Sequence, residues 1–431
     1  METFWQVLYN AVGIPVLYAA FSLAALFRSK VRRGMAGRKR LFERLETDLD
    51  AVSAKGPRFW IHNSSMGEFE QAKPLVEAIK KRFPQGSVVV SFFSPSGYDP
   101  AQAYRGADAL CYIPFDSLKN VNRFLNTLAP DAAVVIRHDM WPNLLWQTRK
   151  RGIPLILANC SIRPHAVYSL PATGSACRSV YRAFDEILAV SPEAKAFCQQ
   201  HRFSSGRIAV VGDTRYDRVV CRAREAEGVV APLRRLKRRR LGFVAGSTWP
   251  SDEDVILPVI ERFIREGIRL WTVLVPHEPT PEHLAQVEDK LRKLGLRFVR
   301  LSNVLPGTKT PADVLLVDRI GILASLYALG EVSYVGGGFG PGVHNVLEPA
   351  ALGKPVLFGP RCRNSYEAGQ LEKRGVGFVV NDATSFQGTL QPFLRDSRQM
   401  HHIGRMAARL VKENVGATDR IVRHLARLVR P

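Results

Sequence analysis

The sequence predicts two α/β domains, each built on a parallel sheet, with an apolar helix ahead of them. Three observations lead there. Short β-branched apolar runs alternate with segments whose apolar residues recur at helical spacing, the pattern of strands buried on both faces between crossover helices. The same style returns in the second half of the chain, beyond an arginine-rich break. Phe4 to Phe27 carries no charged residue. A chain of 431 residues has room for two domains of ordinary size and a small extra element.

The N-terminal stretch FWQVLYNAVGIPVLYAAFSLAALF is longer than the ~20 residues a helix needs to cross a bilayer. Gly13 and Pro15 weaken a helix in water but are tolerated in membranes, and Trp5, Tyr9 and Tyr18 are aromatic, Trp5 at the position of an interfacial belt residue. Arg28, Lys30, Arg32, Arg33, Arg38, Lys39 and Arg40 follow, which the positive-inside rule places on the cytoplasmic side. A cleaved signal peptide would carry its positive charge before the apolar run, and only Met1, Glu2 and Thr3 stand there. The segment reads as a membrane anchor, with a helix lying in one leaflet or a buried core helix as the alternatives.

Strands are expected at Arg58–Asn63, Ser87–Phe93, Ala132–Ile136, Pro154–Ala158, Glu186–Val190 and Arg207–Val211. Between the first two, Phe69, Ala72, Val76, Ile79 and Phe83 have helical spacing. Residues 222–240 hold a break that ends in RRLKRRR, read as a linker region or a solvated helix face. Further strands are expected at Phe243–Ala245, Leu270–Val275, Phe298–Leu301, Val314–Val317, Val332–Val335 and Pro355–Phe358, and a helical segment over Met400–Val429. The expected organisation is an anchor at 1–30, domains at 31–225 and 240–405, and a C-terminal helix at 406–431. Two such domains bind ligands at the carboxyl ends of their strands, in the cleft they face.

Lys and Arg number 61 against 39 Asp and Glu, a formal charge of +22, which points to an anionic partner: nucleic acid, an acidic membrane surface or a phosphorylated substrate. Cys111, Cys160, Cys177, Cys198, Cys221 and Cys362 form no CxxC pair and no zinc or disulfide frame, as expected of reduced thiols in the cytosol.

The most informative stretch is Tyr334 to Pro360, YVGGGFGPGVHNVLEPAALGKPVLFGP. A strand runs into Gly336, Gly337 and Gly338, which let the backbone turn sharply and a ligand approach closely. A helix is expected to start near Asn345, its free N–H groups suited to a phosphate. Asn345 and Glu348 also have the spacing of an N-cap and its N3 partner, so Glu348 is either a cap or a ligand contact. In IHNSSMGE (Ile61–Glu68) a strand turns into a helix at Gly67, and Glu68 is either a general base or a carboxylate complementing the helix dipole, which would lower its pKa. RHDMWPN (Arg137–Asn143) places Asp139 before a proline-led helix start, as a charged loop residue or a functional acid. GDTRYDR (Gly212–Arg218) offers a cation at Arg215, able to offset charge on a leaving phosphate or a carboxylate. Pro276-His277 and Ile320-Gly321-Ile322 follow strands in the second half, with Asp318 placed to orient the latter loop.

With these residues the chain resembles the bacterial Kdo transferases, which add 3-deoxy-D-manno-octulosonic acid (Kdo) to lipid A. The GG…HNxLEPAAxGKPVxFGP stretch is similar to the family's nucleotide-binding segment. SxGE, the acidic residue before WPN, and the basic residue after GDT have counterparts as well. The family has Glu where Asp139 stands, usually Lys at Arg215, and often Arg at His277. SPSG (Ser94–Gly97), ANCS (Ala158–Ser161), AGST (Ala245–Thr248) and NVGAT (Asn414–Thr418) are weaker signposts.

The resemblance implies a GT-B glycosyltransferase: two Rossmann-like domains facing a cleft, with an N-terminal membrane-anchor helix. It implies CMP-Kdo as donor substrate, no cofactor and no metal, and inverting transfer to a lipid A precursor, lipid IVA, in lipopolysaccharide biosynthesis. Glu68 would be the base, and Asp139 and Arg215 would stabilise the transition state. Pro276, His277, Ile320, Gly321, Ile322, Asn345, Val346, Leu347 and Glu348 would contact CMP. The expected place is the cytoplasmic side of the inner membrane, with anionic lipids as partners and no nucleic acid.

Asp252-Glu253-Asp254 looks like a metal-binding DxD, but following Ser251 it reads as the acidic first turn of a helix. The histidines form no HExxH, and neither GxxxxGKS nor GxSxG occurs. The competing readings are another GT-B transferase on a lipid or cell-wall precursor, a sugar-nucleotide epimerase, which needs no anchor, and a non-catalytic basic membrane or nucleic-acid binder, which needs no glycine turn feeding Asn345 and Glu348.

Overall fold

Every residue of β2 (Ser87–Phe92) is buried. Val89 enters one apolar cluster while Val88 and Val90 enter another, because successive side chains of a strand leave opposite faces. In β1 (Arg58–Asn63) Trp60 likewise faces one layer, and Phe59 and Ile61 the other. Strands apolar on both faces need cover on both, which crossover helices supply.

The computed structural model describes residues 2–52, 55–162, 168, 170–204, 206–304 and 312–429. They divide into two units, 1–218 with 415–431, and 219–414. The first unit adds β3 (Ala109–Tyr112), β4 (Ala132–Ile136), β5 (Leu155–Cys160), β6 (Glu186–Ala189) and β7 (Arg207–Val210). Its parallel sheet has the order β3-β2-β1-β4-β5-β6-β7. The second holds β8 (Leu241–Thr248), β9 (Leu270–Pro276), β10 (Phe298–Arg300), β11 (Val314–Leu316), β12 (Val332–Val335), β13 (Val356–Phe358) and β14 (Gly377–Val379). These run parallel in the order β10-β11-β9-β8-β12-β13-β14. Strand order reverses between β1 and β4 in one sheet and between β8 and β12 in the other. Such switch points leave a crevice at the strand carboxyl ends where the chain departs to opposite sides.

The boundaries differ from the sequence expectation in two places. The arginine-rich stretch is helical, at Thr214–Val230 and Arg234–Lys237, as the helix-face reading had it, but the division falls at 218, inside the first of these helices and ahead of the expected 225–240 boundary. The C-terminal helical segment is broken at Asn414–Gly416: Ser397–Glu413 ends in the second unit, and Ala417–Leu428 belongs to the first. Ile421, Val422 and Leu425 complete the cluster that holds Phe69, Val76 and Ile79 of the helix Met66–Arg82. β3 and β14 were not expected; both are short.

The helix Ala417–Leu428 has no side-chain cap of its own, its N-cap being Gly416 at φ 99°. The Asp217 carboxylate takes that role from a distance, accepting Gly416 N–H at 2.6 Å, and Thr418 N–H and hydroxyl at 2.7 Å each. Asp217→Ala strands these donors and is expected to lower stability by about 2–3 kcal/mol in urea unfolding. Hydrogen exchange should show the loss of protection concentrated in residues 417–428; uniform loss over both units would contradict this placement.

Candidate active site

At the switch point of the first sheet, β1 pairs with β4 so that His62 lies beside Val135, and the loops leaving both strands start together. The β1 loop enters the helix Met66–Arg82 through a capping box: Ser65 caps it, and Glu68 Oε2 accepts the N–H groups of Ser64 (2.6 Å) and Ser65 (3.1 Å). Glu68 is therefore a cap, with Oε1 left as the oxygen that can take a proton. Its pKa is raised, against the dipole expectation: burial is the largest cause, Asp139 adds to it, and the Ser64 and Ser65 hydrogen bonds oppose it. A carboxylate raised in this way is a stronger base than an exposed one.

Asp139 lies on the β4 loop, with Oδ2 3.0 Å from His62 Nε2. Burial pushes its pKa up, but His62, Trp141 and Ser64 outweigh this and hold it below the usual carboxylate range. An ionised Asp139 only accepts, so His62 Nε2 carries the proton. The other ring nitrogen lies 2.9 Å from Ser91 Oγ, which itself accepts Trp60 Nε1–H at 2.7 Å. A chain of hydrogen bonds thus runs from Trp60 through Ser91 and His62 to Asp139. Sequence reading missed His62 and Ser91. The signal was there: period-two alternation in β1 puts His62 on the Trp60 face, and the β1–β2 register sets it beside Ser91. The expected Pro-led helix is present at Pro142–Lys150.

Arg215 lies where the loop after β7 enters the helix Thr214–Val230, and its Nε and Nη2 donate to Asp213 Oδ2 at 3.0 and 2.8 Å. That loop is fastened to the helix of Glu68, since Thr214 Oγ1 donates to Gln71 O (2.8 Å) and accepts Asn159 Nδ2–H (2.7 Å). Arg218 and Lys73 both pair with Glu70 on the same helix. Glu68, Asp139 and Arg215 therefore belong to one unit and are carried by elements bonded to one another.

In the second unit the β12 glycines pass too close to other backbone for any side chain. A Cβ on Gly336 would lie 2.2 Å from Ser247 O, and one on Gly338 2.5 Å from Gly359; Gly337 has φ 91°. Asp252 holds this turn. Its buried carboxylate accepts Trp249 N–H (2.9 Å), Gly337 N–H (2.9 Å) and the Tyr334 hydroxyl (2.7 Å). Its neighbour Glu253 faces Thr248, His283 and Lys290. The acidic first turn of the helix Pro250–Arg265 is thus also the brace of the glycine loop, which sequence reading did not anticipate.

The Asn345–Glu348 capping box does not form. The helix is short, Leu347–Ala351, with Val346 at its N-cap. Asn345 Oδ1 accepts Leu347 N–H (3.1 Å), while Glu348 pairs with Arg222 (3.1 Å). A partner cation one helix away competes better for the carboxylate than a backbone N–H. Pro276 ends β9, and His277 N–H donates to Thr248 O (2.9 Å). The His277 ring stacks on His344 (4.1 Å) and Trp249 (5.1 Å). Ile320 is 79% exposed, Gly321 has φ 93°, and Ile322 is the N-cap of Leu323–Leu326. Asp318 accepts Ser302 N–H at 3.1 Å, orienting this loop. The predicted residues of the second unit thus sit at the ends of β9, β11 and β12. Among the described residues no group of three or more His, Cys, Asp or Glu is placed to hold a metal ion.

These two sets of strand-end loops carry a carboxylate of raised pKa beside a hydrogen-bonded His62–Asp139 pair in one unit and a glycine turn with stacked rings in the other. A family model described as 3-deoxy-D-manno-octulosonic-acid transferase (Kdo transferase) matches residues 39–218. A 3-deoxy-D-manno-octulosonic acid transferase of Haemophilus influenzae is 27% identical over 391 residues, covering 89% of this chain and 90% of its own. One of Aquifex aeolicus is 28% identical over 349 residues, covering 79% and 87%. In sequence the chain is similar to Kdo transferases over most of its length. It is a glycosyltransferase of GT-B type. The UDP-GlcNAc 2-epimerase of Neisseria meningitidis has the same fold, with TM-score 0.61 at 15% identity, over 86% of this chain and 100% of its own. That likeness concerns the fold alone; the likeness to Kdo transferases is one of sequence.

Trp249 Nε1–H donates to His344 Nε2 at 2.9 Å, which puts the imidazole proton on Nδ1. Burial, with His277 beside it, pulls the His344 pKa down to about 4. Side-chain nitrogen NMR should therefore show His344 neutral and Nδ1-protonated from about pH 5.5 to 8, the range in which an ordinary histidine titrates, and Trp249→Phe should loosen that tautomer preference. A His344 titration within this range would refute the assignment.

Proposed function

We propose that this protein transfers Kdo from CMP-Kdo to a lipid A precursor, lipid IVA, in lipopolysaccharide biosynthesis. The observation that carries the reading is Glu68, raised by burial and held through one oxygen, on a chain whose relatives are Kdo transferases. In the proposed reaction Oε1 of Glu68 takes the proton of the acceptor hydroxyl at the 6′ position as that oxygen attacks the anomeric carbon of Kdo. CMP leaves from the opposite face, and one displacement inverts the configuration. Asp139 and Arg215 stabilise the charge that develops, and no metal or cofactor enters.

Pro276, His277, Ile320, Gly321, Ile322, Asn345, Val346, Leu347 and Glu348 are proposed to contact CMP, with Glu348 on the ribose. The Arg222 pair orients that carboxylate, whose oxygens can accept from hydroxyls. Attachment to the cytoplasmic face of the inner membrane, through the apolar N-terminal helix and the basic residues after it, brings the enzyme to its lipid acceptor.

The test is acceptor-dependent CMP release from CMP-Kdo and lipid IVA, run with a chelator present. Glu68→Gln keeps an oxygen for the Ser64 and Ser65 N–H groups but is no base. It should cut kcat by about 10²–10⁴-fold with stability unchanged, whereas Glu68→Ala should lose about 1 kcal/mol of stability as well. Full activity in Glu68→Gln would leave the residue a cap only, and no release with any lipid acceptor by folded wild type would sink the donor assignment.

The pH profile gives an independent check. A base must be deprotonated, so the rate rises with pH through the Glu68 pKa, which lies above the ordinary carboxylate value. Asp139 raises that pKa, so in the residual activity of Asp139→Asn the acid limb should move to lower pH.

A further inference from the structure

The apolar helix Thr3–Phe27 has a mean hydropathy of 1.7 over its most apolar window, and length and composition alone would let it cross a membrane. Its contacts tell otherwise. Trp5 Nε1–H donates to Ser175 Oγ (3.1 Å), and the Tyr9 hydroxyl donates to Asp116 Oδ2 (2.9 Å). Asn10 and Asn143 exchange side-chain amide bonds at 2.9 and 2.8 Å. Further along, Tyr18 meets Phe115 edge-on, and Phe21 meets Phe93 and Phe115. These contacts run from Trp5 to Phe21, roughly 24 Å of helix at 1.5 Å per residue. The helix therefore lies along the first unit for most of its length.

A spanning orientation would carry those partners into hydrocarbon. Asp116 is buried and also accepts the N–H groups of Asn143 (3.0 Å) and Leu144 (2.9 Å), so it cannot leave without uncapping the helix Pro142–Lys150. Breaking away from it would place the Tyr9 hydroxyl and the Asn10 amide in lipid without partners, which is costly. The opposite face of the helix is apolar and open: Phe4, Val7, Val12, Val16, Leu23 and Phe27 are all more than half exposed. At its end Arg28, Lys30 and Arg32 are exposed.

We infer that this helix is an in-plane membrane element: its polar face is latched to the first unit through Tyr9–Asp116 and Asn10–Asn143, and its apolar face enters one leaflet of anionic phospholipid. Charge selects that occupant. Arg28, Lys30 and Arg32 beside the apolar face match anionic headgroups, whereas a second copy packed face to face would bring like charges together. The inference rests on the membrane attachment proposed above and is independent of the donor and acceptor.

The full chain is mixed with vesicles of phosphatidylethanolamine and phosphatidylglycerol, and with vesicles of phosphatidylcholine alone. Binding should be about tenfold or more tighter to the anionic set and weaken with salt. Val16→Glu with Leu23→Glu, on the open face, should abolish binding while leaving the fold intact by circular dichroism.

Depth separates lying from spanning. In a background with Cys177→Ser, Cys221→Ser and Cys362→Ser, a fluorophore is placed at Phe4→Cys, Val16→Cys or Phe27→Cys and quenched by lipids labelled at shallow or deep positions. Similar shallow depths at all three sites support the inference. A deep Val16 site with Phe4 in the far leaflet overturns the in-plane arrangement while keeping the membrane. Absence of vesicle binding overturns both, and self-association through this face without vesicle binding assigns it to a second copy.

Discussion

A parallel sheet covered on both faces gives polar chemistry almost no room except where its strands end, and both units of this protein are organised by that constraint. β2 is buried throughout, and β1 from Phe59 to Asn63. The backbone leaving such strands carries N–H groups that need partners before the next helix begins. Carboxylates supply them repeatedly. Glu68 accepts from Ser64 and Ser65, Asp116 from Asn143 and Leu144, Asp217 from Gly416 and Thr418, and Asp252 from Trp249 and Gly337. A chain with 39 acidic residues against 61 basic ones thus turns several of its carboxylates inward as braces, which leaves its exterior more positive still. Glu68 is one of this set, and its distinction is an oxygen not engaged by the brace.

Much of the sheet was legible because β-branched runs buried on both faces have a plain signature. Twelve segments expected as strands overlap strands, β1, β4 and β12 with the same bounds. β3 and β14 escaped because ALCY and GFV are short and flanked by other apolar residues, so periodicity had little to count. The helix Ala417–Leu428 was legible as a helix but its membership was not, since the partner that fixes it, Asp217, lies far away in sequence.

The sites divide along the same line. Local motifs such as SxGE and the glycine turn were readable because turn and cap geometry is short-range. Glu68 sits in the first turn of its helix, as one of the two alternatives had it, but burial raises its pKa where the helix dipole alone would lower it. Asn345 and Glu348 had capping-box spacing, yet Arg222 draws the carboxylate away, and spacing carries no record of a competing cation. His62 needed a cross-strand neighbour, Ser91, to become more than a core histidine. The fold likeness to an epimerase shows how little the two sheets say about reaction: chemistry lies in which side chains the strand ends present.

The return of the chain to its first unit has a consequence for the order of assembly during translation. The cluster under β1, β2 and β4 contains Ile421, Val422 and Leu425, so the ribosome must make all of the second unit before this layer can close. Until then Phe69, Val76 and Ile79 lack part of their cover, and the nascent first unit offers a sticky groove to chaperones or to its neighbours on a polysome. The second unit, contiguous from 219 to 414, has no such debt to later residues and can mature on its own schedule.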